Sequence, residues 1–234
     1  YKRQVEGVAQ FDSRDAFSYS NSNGADASPQ TAFSGDGIWN RDAFVHEGQT
    51  FDPANAHQAG ATYHYHANPP GLRHLLGDSV DYNATTHVYT ENFNGQHSPI
   101  LGWVRDGLPI YGPYGYSDPM DSSSTITRMR SGYVLRTATD RTTLPAWGAR
   151  LHNGGTALLP ANLQGPAINA THPLGSYMED WDYRGDLGQT QGPTGTYDLD
   201  EQNARYCVTP EFPGGTWAYF VSIDAVGTPT FPYN

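Results

Sequence analysis

The chain has 234 residues and a formal net charge of −11, and its 26 glycines, 17 prolines and 16 tyrosines accompany only 16% charged residues. That length allows one large domain or two small ones with a proper core, and the wealth of turn formers argues against a helical bundle or coiled coil. The acidic balance argues against nucleic acid as a partner, and no apolar run approaches the roughly eighteen residues of a membrane-spanning helix.

Residues 1–30 are expected to form an irregular N-terminal arm, because the run from Ser18 to Gly24 is polar and lacks an apolar period. Residues 31–234 are expected to form a single β-rich domain. Short aromatic or β-branched runs bounded by Gly, Pro and Asp predict strands at Ile38–Val45 and Gly60–Ala67. The same pattern predicts strands at Ile100–Val104, Tyr133–Arg136, Arg205–Thr209 and Thr216–Ile223, the last apolar enough to be covered on both faces. Only Leu72–Leu76 and Asp200–Arg205 read as short helical turns. Long connections at 137–175 and 184–198 complete an all-β or β-dominated reading: one sandwich-like domain with Gly/Pro/Tyr-rich loops and few short helices.

A single cysteine, Cys207, excludes an internal disulfide and any cysteine-cluster metal site. The chain opens on Tyr1, as a processed product would. Its densest chemistry is Tyr63-His64-Tyr65-His66. On a strand, residues two apart share one face, so His64 and His66 stand roughly 6–7 Å apart at the Cα with both tyrosines turned away. His57 lies upstream beside a bend-permitting glycine, and His97 follows in Gly95-Gln96-His97-Ser98. Three or four neutral imidazoles suit copper or zinc, with copper favoured over zinc, whereas Mg²⁺ and Ca²⁺ prefer oxygen ligands. The expected metal ligands are therefore His57, His64, His66 and His97, with Asp106 as a residue that orients a ligand histidine or simply forms a turn.

Four ordered motifs carry a family resemblance. They are the stretch from Tyr63 to Pro69, Gly95 to Gly102, Asp106 to Tyr116, and Thr209 to Phe220. Together they resemble the YHYH-domain family over roughly residues 55–233. The resemblance implies a secreted or cell-surface protein, commonly bacterial, and it groups the four histidines within its motif blocks. Many members carry cysteines ahead of the YHYH strand; the matching stretch from Phe51 to His57 has none.

Other features compete. The tyrosines between Pro109 and Tyr116 line an aromatic surface or pack a tight loop. The carboxylates Glu179, Asp180, Asp182, Asp186, Asp198, Asp200 and Glu201 allow a separate calcium site, without matching the spacing of a calcium-binding loop. His97-Ser98 lacks the nucleophile elbow of a serine hydrolase. Three functions stay open: a transition-metal protein, a structural or adhesive subunit that self-assembles at a surface, and a carbohydrate-binding or glycan-cleaving domain. Self-assembly or surface glycans are the partners these readings imply.

Overall fold

The computed structural model describes residues 3–5, 8–28 and 35–233 and is β-dominated with a few short helices. Strands β1 (Arg3–Val5), β2 (Val8–Gln10), β3 (Arg14–Ser20), β4 (Ala25–Ala27) and β5 (Asn40–Asp42) lead into helix α1 (Ala43–Glu47). β6 (Ala56–Ala59) and β7 (Thr62–Tyr65) precede helix α2 (Pro70–Leu75) and the hairpin of β8 (Val80–Asn83) and β9 (Val88–Glu91). β10 (Ile100–Trp103), β11 (Pro109–Tyr111), β12 (Tyr114–Tyr116), β13 (Ile126–Arg128) and β14 (Tyr133–Leu135) run on to helix α3 (Ala146–His152). β15 (Trp181–Tyr183), β16 (Ala204–Cys207) and β17 (Thr216–Phe220) complete the order.

These elements sort into two compact units, where the sequence predicts one domain from residue 31 onward. The first unit takes residues 1–12, 49–132 and 189–234; the second takes 13–48 and 133–188. The boundary expected between residues 30 and 31 lies outside the described residues. The arm expected to be irregular contributes β1 to β4. Their order comes from partners distant in sequence, β1 beside β10 and β2 beside β7, so pairing overrides weak local propensity.

In the first unit, eight strands form one mixed sheet in the order β16-β17-β11-β10-β1-β2-β7-β6. Its centre is covered on both faces. Tyr111 and Phe220 pack with Met129, Leu199, Cys207 and Ala218, while their chain neighbours Ile110 and Val221 pack with Leu72 and Leu101. Successive strand residues point to opposite faces, so the two clusters lie on opposite sides of β11 and β17. The run expected to be covered on both faces is so only from Phe220 to Ile223; within β17, Ala218 and Phe220 are buried on one face while Trp217 on the other is 47% exposed.

The second unit carries the three-stranded sheet β4-β3-β5 and the pair β14-β15, with a core of Trp39, Leu144, Ala149, Leu159 and Tyr177. The strand expected across Ile38–Val45 stops at Asp42, whose carboxylate accepts the Val45 N–H at 3.1 Å and caps α1. In the first unit the helical turn expected at Asp200–Arg205 is an Asx-type turn into β16. There Asp200 Oδ1 accepts the N–H groups of Gln202 and Ala204, both at 2.9 Å.

Helix α2 begins at Pro70, where a missing N–H is harmless, and carries Arg73 with none of its surface exposed. Its guanidinium binds Asp78, Asn68 Oδ1 at 3.1 Å, and both oxygens of Glu91 at 2.7 and 2.9 Å. Asp78 also accepts the Ser98 hydroxyl at 2.9 Å. The side chains of Asp78 and Glu91 are 1% and 7% exposed, so neither can turn to water if the arginine is lost. Arg73→Met is expected to destabilise the protein by about 3–5 kcal/mol, read from the urea midpoint, because it strands two buried carboxylates. Arg73→Lys should recover only part, since an ammonium cannot reproduce the fork.

Candidate metal centre

β6 and β7 form a hairpin at the edge of the large sheet, closed by Gly60 and Ala61. Gly60 has φ +61°, the backbone that a glycine supplies at the first position of a two-residue hairpin loop. The register puts His57 directly opposite His64, and His66 follows one residue beyond β7 on the same face as His64. Three imidazoles from two adjacent strands therefore face one point. His64 Nε2 lies 2.9 Å from His66 Nε2 and 3.1 Å from His57 Nε2. Ligand nitrogens of all three fall within 4.8 Å of one another.

The outward nitrogens are each held. His64 Nδ1 donates to the Thr62 carbonyl at 3.1 Å, and His66 Nδ1 donates to the Asp12 carbonyl at 3.0 Å. Carbonyl oxygens only accept, so both Nδ1 atoms carry hydrogen and the neutral rings present bare Nε2 lone pairs inward. His57 Nδ1 shares a hydrogen bond with the Thr50 hydroxyl at 2.8 Å. Two lone pairs facing each other at 2.9 Å repel unless a cation or a proton lies between them. In a tetrahedral site with metal–nitrogen bonds of about 2.0–2.1 Å, ligand nitrogens stand about 3.3 Å apart, so a few tenths of an ångström of outward relaxation accommodates an ion.

Two phenylalanines wall the centre. Phe11 stacks on His64 at a centroid distance of 4.1 Å, and Phe51 lies parallel to His66 at 5.9 Å, with its ring centroid 5.0 Å from that of His57. His64 and His66 are each 2% exposed, so the donors converge in a largely dry pocket beneath the better exposed His57. Sequence reasoning misses Phe11, the Asp12 carbonyl, Thr50 and Phe51, which no spacing rule connects to the tetrapeptide. Tyr63 and Tyr65 turn to the other face, as alternation predicts; the Tyr63 hydroxyl donates to Asp52.

His97 is placed elsewhere in the unit. Its ring packs among Tyr111, Tyr116 and Phe220 at centroid distances of 5.2, 5.1 and 6.2 Å, and its Nδ1 donates to the Ser98 carbonyl at 2.7 Å. It is not one of the imidazoles that converge. Asp106 accepts the Leu108 N–H at 3.0 Å and the Tyr219 hydroxyl at 2.7 Å, which is the turn role and no contact with a ligand ring. Of the tyrosines in the 109–116 loop, Tyr111 and Tyr114 are buried, so packing claims them.

The acidic stretch is spent on partners within the fold. Buried Glu179 receives the Asn40 N–H and amide at 2.7 and 2.8 Å, and buried Asp180 takes both prongs of Arg141 at 2.8 Å. Neither carboxylate is placed to work on a glycosidic bond. Asp182, Asp186 and Asp198 face Arg136, Arg150 and Arg130. Among the described residues no second group of three or more His, Cys, Asp or Glu ligands converges. No helix among them is long and apolar enough to cross a membrane.

A strand-rich chain with three imidazoles gathered at a sheet edge falls in the class of proteins able to hold a metal ion on histidine nitrogen. The chain belongs to the YHYH protein family, whose profile matches residues 3–231. Comparison with curated proteins and with solved structures finds no match.

Burial lowers the pKa of His97 below its ordinary 6.5, desolvation outweighing the hydrogen bond to Ser98. The unfolded chain then binds a proton that the folded chain resists, so stability is full above pH 6.5 and falls as pH drops below it. Urea denaturation at a series of pH values should show a shallower loss between about pH 6.5 and 5 in His97→Phe than in the parent.

Proposed function

We propose that the protein is a secreted or surface-associated metal-binding protein in which His57, His64 and His66 hold one transition-metal ion. The convergence of their Nε2 atoms at 2.9 and 3.1 Å, with the Nδ1 atoms of His64 and His66 committed to carbonyls, carries this reading. Imidazole donors favour copper and zinc over calcium, and copper(II) binds nitrogen ligands more tightly than zinc, so copper is the preferred ion. The Phe11 and Phe51 walls would keep bulk solvent away from a bound ion. Export is supported by the family resemblance and by chemistry: the only cysteine is fully buried, so an oxidising compartment meets no exposed thiol.

Metal analysis of protein loaded with copper or zinc under identical conditions is expected to find one equivalent in the parent. His64→Ala and His66→Ala should lose it, whereas His152→Ala in the second unit should keep it. Full retention in the first two variants would overturn the assignment. Thr50→Val, which removes the oxygen that orients His57, should weaken binding by about 10–100-fold. Free metal at a hundredfold excess over its dissociation constant should add about 2.7 kcal/mol of stability to the parent and none to His64→Ala. Fractionation of producing cells should place the chain in the medium or at the surface; recovery chiefly from cytosol would refute export.

A further inference from the structure

We infer that a cleft on the β16–β17 pair of the first unit binds a neutral oligosaccharide. The cleft has a volume of about 410 Å³ and is lined by Trp217, Tyr206, Asp200, Asp198, Arg205 and the 191–193 loop. Tyr206 and Trp217 are direct cross-strand partners, with centroids 6.0 Å apart and ring planes at 73°. They are 45% and 47% exposed, on strands whose neighbouring residues Arg205, Cys207 and Ala218 are buried. Two large aromatics presented together beside a concavity match a ligand with flat apolar faces, which is what the C–H faces of a pyranose offer. Gly215 keeps the tyrosine in place: with φ +91°, it leaves open a position where a Cβ would stand 2.8 Å from the Tyr206 hydroxyl oxygen.

Charge decides the ligand class. Asp198 is neutralised by Arg130, which grips it at 2.8 and 2.9 Å, and Asp200 shares the cleft with Arg205. Across the cleft and the depression adjoining it, Asp198 and Asp200 face Arg130 and Arg205, and Arg128, which donates to the Ile223 carbonyl, adds one further guanidinium, so no strong excess of either sign selects an amine or an anion. These side chains leave polar groups that can exchange hydrogen bonds with hydroxyls. Asp200 is half-buried at the cleft wall, and that burial raises its pKa. A second depression of about 330 Å³, lined by Ser117, Thr127, Arg128 and Arg130, adjoins the first through Pro193 and Asp198. Two connected depressions suit a chain of at least two sugar residues. This cleft uses neither the 109–116 tyrosines nor the 179–182 acids, and it is independent of the histidine centre.

The test is tryptophan fluorescence and calorimetric titration of the full chain with neutral hexaoses of β-1,4-glucose, β-1,3-glucose, α-1,4-glucose and β-1,4-N-acetylglucosamine at millimolar concentration. At least one should bind. Trp217→Ala should weaken it about tenfold or more, and Tyr206→Ala comparably, while Trp103→Ala, an exposed tryptophan outside the cleft, leaves it unchanged. Both cleft residues are half-exposed, so the variants should keep the parent's urea midpoint, which checks that folding is intact. Binding should persist in molar salt, because a neutral ligand has no charge to screen. Failure of every hexaose, or undiminished binding by Trp217→Ala, overturns the inference. So does salt-sensitive capture of a lysine-rich peptide in place of the sugars.

Discussion

A guanidinium with no access to water must have its charge answered inside the protein, and Arg73 organises the first unit around that requirement. Its partners come from the segment after β7, from the turn between α2 and β8, and from β9. Asn68 takes Arg73 on its side-chain oxygen, and its carbonyl takes the Asn55 amide at 2.7 Å. Asn55 stands just before β6, so both ends of the histidine hairpin are tied to one buried cation. Through Asp78 the same charge fixes Ser98, whose hydroxyl accepts the Tyr114 N–H at 3.1 Å. The edge hairpin thus rests on a frame that cannot shift without exposing or unpairing a charge.

That frame lets the hairpin carry local conflict. Two imidazole nitrogens 2.9 Å apart with their lone pairs inward are unfavourable by themselves, and the fold holds them there by committing their far nitrogens to carbonyls. Sites that break a local rule inside an otherwise consistent fold are where ligands supply the missing stabilisation. The stacked phenylalanines strengthen the effect by removing water, which would otherwise solvate the nitrogens.

The arginine excess has the same logic across both units. Twelve arginines and one lysine serve eighteen aspartates and six glutamates. Asp15, Asp78, Asp180, Asp186 and Asp198 each face an arginine, and Arg141 and Asp180 both have fully buried side chains. A planar fork binds a carboxylate through two parallel bonds and satisfies carbonyls with its remaining donors, as Arg141 does with Pro166, His172 and Pro173. Lysine could not close these networks. The same pairing removes the acidic stretch from consideration as paired catalytic acids.

The sequence by itself determined the features that short-range geometry controls. Period-two alternation placed His64 and His66 on one face, and glycine and proline punctuation marked β7, β10, β16 and β17, while the apolar run of the closing strand marked its buried end but not the exposed face of Trp217. The tertiary structure alone decided which distant groups complete those faces. His57 joined the pair because a two-residue loop set its register, while His97, equally close to a glycine, was drawn into the aromatic core by Tyr111 and Phe220. Phe11 and the Asp12 carbonyl reached the centre through β2, a strand inside a stretch too polar to predict as one. Alternation and turn chemistry act over a few residues and are written in them. Strand pairing, ring packing and charge burial act between residues far apart in the chain, and only their joint satisfaction in three dimensions selects the partners.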